Sequence, residues 1–94
     1  MEEHSEILIK NCLLKSQEAL NDARFNYEND RFAVSLNRIY YSIFYSVMAL
    51  GYKDNFITSK HKQLMGWFNK KYIHDEKAFD ERLMMIYQKS YNKR

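Results

Sequence analysis

Leu36-Asn37-Arg38-Ile39-Tyr40-Tyr41-Ser42-Ile43-Phe44-Tyr45-Ser46-Val47-Met48-Ala49-Leu50 is a run interrupted by one charge, that of Arg38. With Phe32 ahead of it, the run places Phe32, Leu36, Ile39, Ile43, Val47 and Leu50 at spacings of three and four. Those spacings predict an α-helix over about 31–50 with one continuous apolar side. Tyr40, Phe44 and Met48 widen that side, so the helix is expected to lie centrally with neighbours on two flanks. A guanidinium in such a helix is costly to desolvate unless it is paired. Arg38 therefore either snorkels to water or faces a polar cleft that binds something.

Working outward, residues 5–29 place Ile9, Leu13, Leu20, Ala23 and Tyr27 on one helical stripe. The acidic start, with Glu2, Glu3 and Glu6, suits a helix amino terminus. Asn29-Asp30 reads as a break and a cap for the next helix. Gly51 reads as the stop of the central helix, followed by a loop over 52–57. Thr58 or Ser59 is expected to cap a third helix that runs to about Tyr72 on Leu64, Met65, Trp67 and Phe68. His74-Asp75 then opens a fourth, over 76 to about 91, built on Phe79, Leu83, Ile86 and Tyr87. Proline is absent and glycine occurs only at 51 and 66, so long helices with few breaks are the natural outcome. Short connections favour antiparallel neighbours. The expected fold is all-α, an antiparallel up-and-down four-helix bundle in a single domain over residues 1–94.

Composition narrows the classes. Cys12 is the only cysteine, which excludes an internal disulfide and a cysteine-based zinc site. Arg38 and Lys53 bracket the longest apolar stretch, which falls short of the roughly 18 residues a membrane span needs. The start, Met1-Glu2-Glu3-His4, lacks the basic-then-apolar order of a signal peptide. A soluble, cytoplasmic protein is expected. Charge is divided unevenly: residues 1–30 hold seven acids and three bases, a net of −4, while 31–94 hold five acids and twelve bases, a net of +7. The basic part suits a nucleic-acid backbone or an acidic partner, or merely a solvated lysine surface.

Few groups offer chemistry. His4, His61 and His74 lie on three segments without partners at ligand spacing, so no metal and no cofactor is expected. There is no phosphate-cradling glycine loop and no nucleophile elbow. Asp75, Glu76, Asp80 and Glu81 sit where a helix start alone would favour acids. What remains is Arg38, Tyr41, Ser42 and Tyr45, which share a helical face and form a polar strip beside the apolar one. Arg38 would grip a phosphate bidentately, with hydroxyls as further donors. The alternative is an interhelical hydrogen-bond network, or a cation stacked on Tyr41 or Tyr45. His61 joins such a site only if the loop before it folds back, because an antiparallel third helix starts near the end of the second.

The run Ala33-Val34-Ser35-Leu36-Asn37-Arg38-Ile39-Tyr40-Tyr41-Ser42-Ile43-Phe44-Tyr45, followed by Lys60-His61-Lys62-Gln63-Leu64-Met65-Gly66-Trp67-Phe68, resembles the HEPN family of small helical proteins. Glu18-Ala19-Leu20 and Asp30-Arg31-Phe32-Ala33 match that family's first helix and turn, so the resemblance covers roughly residues 13–94. Its most specific part is Arg38-x-Tyr40-Tyr41-x-x-Phe44. The resemblance implies a helical bundle that dimerises, and often a metal-independent endoribonuclease acting as the toxin beside a minimal nucleotidyltransferase antitoxin. In that chemistry Arg38 would stabilise phosphate charge while a histidine moves a proton from the 2′-hydroxyl. The family histidine would fall where this chain has Tyr45. A phenol, with an ordinary pKa near 10, is a poor general base at neutral pH.

The resemblance therefore implies an RNA- or nucleotide-binding domain using Arg38, Tyr41, Ser42, Tyr45 and His61. Catalysis by Arg38 with Tyr45, or with His61 of a second copy, is the weaker implication, and a plain dimerisation or protein-interaction module is the alternative. Relatives continue past the position of Arg94 into another helix. That implies a truncated chain or a short member, with an apolar face for a dimer mate or partner to cover.

Overall fold

Small residues, not large ones, join the first two helices. The computed structural model describes residues 2–94, with side chains from His4 onward, so Met1 and the side chains of Glu2 and Glu3 in the acidic start lie outside the described residues. Helix α1 spans Glu2–Glu28 and α2 spans Phe32–Lys53. On α1 the buried positions are Cys12, Ser16, Ala19 and Ala23, at spacings of four, three and four. Facing them, α2 buries Ser35, Ser42 and Ala49. The Ser16 hydroxyl donates to the Ser42 carbonyl at 2.7 Å, and the Ser42 hydroxyl donates back to the Ser16 carbonyl at 3.0 Å. Ser35 donates to the Ala23 carbonyl at 2.8 Å, and the Ser16 and Ser46 hydroxyls lie 2.7 Å apart. Side chains this short let the backbones approach closely enough for a hydroxyl to reach the other helix's main chain.

The stripe expected from hydropathy is thereby corrected. Leu13, Leu20 and Tyr27 are 51%, 44% and 64% exposed, and only Ala23 of that stripe is fully buried. The large apolar side chains lie one helical flank away from the seam.

The chain turns without glycine at its left-handed positions. Asp30 has φ 60°, with Arg31 N–H bonded to the Asn26 carbonyl at 2.8 Å and Asp30 N–H to the Tyr27 carbonyl at 3.1 Å. These are the two crossed bonds of a Schellman motif, so Asp30 ends α1 rather than capping α2. Arg31 occupies the amino-terminal position of α2 and supplies no side-chain cap. The end of α2 repeats the device: Asn55 has φ 62° and Phe56 N–H bonds the Gly51 carbonyl at 2.8 Å. Gly51 is therefore inside α2, not its stop. Its missing side chain matters for another reason, since a Cβ there would sit 2.5 Å from the Phe56 carbonyl oxygen. That proximity lets the loop over 54–60 fold back along α2, and Phe56 stacks on Trp67 with ring centroids 5.0 Å apart.

Helix α3, His61–Phe68, runs on into a π-helical turn, Asn69–Asp75. Lys77, with φ 51°, ends it. Helix α4 spans Glu81–Lys93 and starts later than the sequence pattern suggests, because Asp80 takes the capping role and accepts the Arg82 N–H at 2.8 Å. The result is an all-helical bundle. Its core of Tyr40, Phe44, Val47, Leu64, Phe68 and Tyr87 lies between α2 and the α3–α4 half. Helix α2 is central as expected, whereas α1 packs against α2 and makes no comparable contact with α3 or α4 among the described residues. No described helix is long and apolar enough to cross a membrane.

Asp54 ties the end of α2 to the π-helical turn. Its carboxylate accepts from Lys71 Nζ at 2.8 Å and from the Tyr72 hydroxyl at 2.5 Å. Burial acts to raise the Asp54 carboxyl, but those two hydrogen bonds together with the positive charges of Lys71 and Lys53 outweigh it and hold the group below the usual carboxylate value. A depressed carboxyl stabilises the fold above the ordinary aspartate pKa, and this contribution is lost as pH falls through the lowered value. Asp54→Asn is expected to lower stability at neutral pH and to flatten its decline at acid pH, read by urea unfolding from pH 7 down to about 3. Gly51→Ala is expected to cost about 1–3 kcal/mol in the same assay, because the 54–60 reversal must shift to clear the new methyl.

Candidate functional site

Helix α2 has two uncovered flanks, and they differ in chemistry. One carries Ile39, Ile43 and Leu50, at spacings of four and seven. The other carries Arg38, Tyr41 and Tyr45, all partly buried. On the first, Ile39 lies beside Leu20 of α1 while Ile43 and Leu50 lie beside Phe79 and Leu83; the second is the polar cleft.

In that cleft Arg38 is not free in solvent, and its ion pair with Asp22 is long. Its side chain is 31% exposed, and Nε lies 3.8 Å from the nearer Asp22 carboxylate oxygen, beyond hydrogen-bond reach. Nε is itself buried and has no hydrogen-bond partner. The guanidinium lies over the Tyr41 ring, 5.6 Å from its centroid. Tyr41 and Tyr45 follow one another with centroids 6.2 Å apart, and Lys15 of α1 places its ammonium 5.5 Å from the Tyr45 centroid. Two aromatic faces, each with its own cation, thus stand side by side. Cations over tyrosine faces are attracted by the ring quadrupole and remain able to meet an anion.

The folded-back loop brings His61 to the middle of α2. Its imidazole stacks on Phe44 with centroids 4.3 Å apart and meets the edge of Tyr41 at 6.3 Å. The Tyr40 hydroxyl is hydrogen-bonded to His61 Nδ1. Burial pushes the Tyr40 phenol up to about 12, so Tyr40 keeps its proton at neutral pH. With its hydroxyl as donor, Nδ1 is the acceptor and the imidazole hydrogen sits on Nε2; with Nδ1–H as donor, the phenol oxygen accepts. Burial, helped by the positive charge of Arg94, holds His61 below its ordinary pKa. At neutral pH it is an uncharged ring. Arg94 sits over Tyr91 and Tyr40 at 4.4 and 5.5 Å, adding a third cation at this end.

Of the residues expected in the strip, Arg38, Tyr41, Tyr45 and His61 come together, and Ser42 does not. Ser42 is buried in the α1–α2 seam with its hydroxyl committed to the Ser16 carbonyl. The reason is angular: Arg38 stands at the border of the seam, with Tyr41 and Tyr45 on its outer side and Ser42 on its inner side. Sequence reasoning missed Lys15 and Asp22, whose approach depends on the register of α1 against α2. It also placed Tyr40 among the apolar residues, although its hydroxyl is hydrogen-bonded to His61 Nδ1. Among the described residues no three His, Cys, Asp or Glu side chains group as metal ligands.

A family model described as HEPN domain matches residues 9–93. A protein of Thermotoga maritima described as UPF0332 protein is 34% identical over 67 residues, which are 71% of this chain and 51% of that one. The chain thus spans about half the length of that relative. No solved structure matches the chain significantly.

A depressed histidine pKa means that the unfolded chain binds more protons than the folded one between the lowered value and the ordinary one, about 6.5. Stability from neutral His61 is therefore complete above that window and lost as pH falls through it. Proton NMR of the His61 ring is expected to show it titrating below the ordinary histidine value of about 6.5. His61→Phe, which keeps the stack on Phe44, is expected to remove this part of the pH dependence of unfolding.

Proposed function

The chain belongs to the HEPN domain family, and from that premise we propose that it is an RNA- or nucleotide-binding helical domain of the cytoplasm. It binds phosphate and base through the polar flank of α2 and acts within a toxin–antitoxin or nucleotidyltransferase-associated pair. The observation that supports this most is Arg38. It is a half-buried guanidinium over Tyr41, whose Nε has no hydrogen-bond partner and makes only a long ion pair with Asp22. A side chain kept in place by cation–π attraction and a long ion pair keeps N–H groups free for a phosphate. Tyr41 and Tyr45 offer stacking faces to a base, as aromatic platforms do in single-strand binders. Lys15 and Arg94 add charge to the same cleft.

Binding is favoured over cleavage because the position of the family's proton-transfer histidine is Tyr45, with a lysine over its ring. His61 is uncharged and oriented, but its Nδ1 is engaged by Tyr40. If the domain cuts RNA, it does so as a metal-independent endoribonuclease with Arg38 on the phosphate. A second reading, a homodimeric protein-interaction module with a minimal nucleotidyltransferase as partner, is favoured by the uncovered apolar residues of α1.

The wild-type domain is expected to bind a short single-stranded RNA with an affinity that falls as salt rises. Arg38→Ala is expected to weaken that binding about tenfold, the loss of one charge-assisted contact, measured by fluorescence anisotropy at fixed salt. Cleavage of the same RNA in chelator is expected to be weak or absent, and Tyr45→His to raise it. Equal affinity, or equal failure to bind, in wild type and Arg38→Ala would reject the reading.

A further inference from the structure

We propose that the hollow between the π-helical turn and α4 binds a short apolar peptide, about three residues long, held at its two charged ends. The hollow measures about 520 Å³, the size of an ordinary small-ligand site. None of its lining residues belongs to the cleft of Arg38, so the proposal stands apart from RNA binding.

Local backbone geometry makes the hollow. Over Asn69–Asp75 the chain winds in the wide π-helical manner, with Glu76 N–H bonded to the Lys71 carbonyl, five residues back, at 2.9 Å. In such a turn the fourth and fifth residues onward both return to the starting face. Asn69, Ile73 and His74 therefore line one side together. From the other side α4 presents Glu81, Met84, Met85 and Gln88 at helical spacings of three and four, with Lys89 alongside. Ile73 is buried and gives an apolar floor, while Met85 is 55% exposed. Methionine side chains adapt to irregular apolar guests and make favourable contacts with aromatic rings.

The charges at the two ends choose the ligand. Glu81 and Lys89 lie eight residues apart on α4, about 12 Å along its axis. Neither enters an ion pair among the described residues. Other acids near the start of α4 are committed, Asp75 to Lys70 and His74, and Asp80 to Arg82. Glu81 is the carboxylate left to meet a cation, and Lys89 is the ammonium left to meet an anion. Lys77 lines only the adjoining hollow, beyond Glu81. A free amino acid cannot use both ends, since its ammonium and carboxylate share one carbon. Three extended residues span about 10–11 Å, so a tripeptide's amino terminus reaches Glu81 while its carboxylate reaches Lys89. Its side chains rest on Ile73, Met84 and Met85. The Asn69 carboxamide and the Gln88 carbonyl, whose amide nitrogen already meets Asn92, offer hydrogen bonds to its peptide groups.

The probe is the tripeptide Leu-Phe-Leu with free termini, titrated to about 5 mM against the whole chain and followed by NMR at the Met84 and Met85 methyl groups. Saturable shifts of both methyls, with a Kd at or below about 1 mM, support the proposal. N-acetylation of the peptide and Glu81→Gln are each expected to weaken binding about threefold, and together no more than either alone. C-terminal amidation and Lys89→Gln are expected to pair in the same way. Met85→Glu alters a half-exposed position and is expected to fold, as circular dichroism checks, and to abolish binding. Absence of a saturable shift over that titration overturns the proposal. So does equal binding of a tripeptide blocked at both ends, which marks the hollow as an apolar surface without selection for termini. Arg38→Ala is expected to leave peptide binding unchanged, so failure here leaves the RNA reading intact.

Discussion

Hydroxyl groups that reach across to another helix's carbonyl oxygens set the geometry of this protein. Ser16 and Ser42 bond reciprocally to each other's main chain, and Ser35 does the same to Ala23. Each such bond contributes only about 0.5–1.5 kcal/mol net, but all of them require the backbones to be close. Closeness admits only Cys, Ser and Ala between the helices. Every larger side chain of α1 is consequently displaced to a flank or to the outside. The uncovered apolar surface follows directly from how the seam is made.

The same seam fixes what surrounds Arg38. Because Ser42 faces α1, the next positions outward on α2 are Arg38, then Tyr41 and Tyr45, and the register brings Lys15 and Asp22 alongside. On the far side of the cleft the return of the chain from Asn55 to His61 supplies the imidazole. That return depends on the absence of a side chain at Gly51 and on the Asp54 attachment to Lys71 and Tyr72. Two unrelated local features, a serine seam and a glycine contact, thus define opposite walls of one cleft.

The long, strongly periodic elements were legible from residue order. The central position of α2 followed from its wide apolar arc, and four helices followed from the scarcity of glycine and the absence of proline. What periodicity misread was α1, where hydropathy weights Leu13 and Leu20 above Ser16 and Ala19 although the small residues make the contact. Helix ends were displaced for a related reason. Asp30, Asn55 and Lys77 adopt left-handed backbone that sequence rules assign first to glycine, and Asp30 could be read equally as an amino-terminal cap. Within the cleft, the shared face of Arg38, Tyr41 and Tyr45 was readable from spacing. The Tyr40–His61 bond was not, since it joins residues brought together only by tertiary packing.

Cys12 occupies one of the seam positions and is buried there, with burial pushing its thiol above the ordinary value despite the nearby Lys15. A thiol that is both covered and protonated reacts slowly with alkylating agents. It becomes reactive when α1 lifts from α2. The molecule therefore contains a chemical clock for the partial unfolding of its first helix, readable as the alkylation rate of a single native thiol.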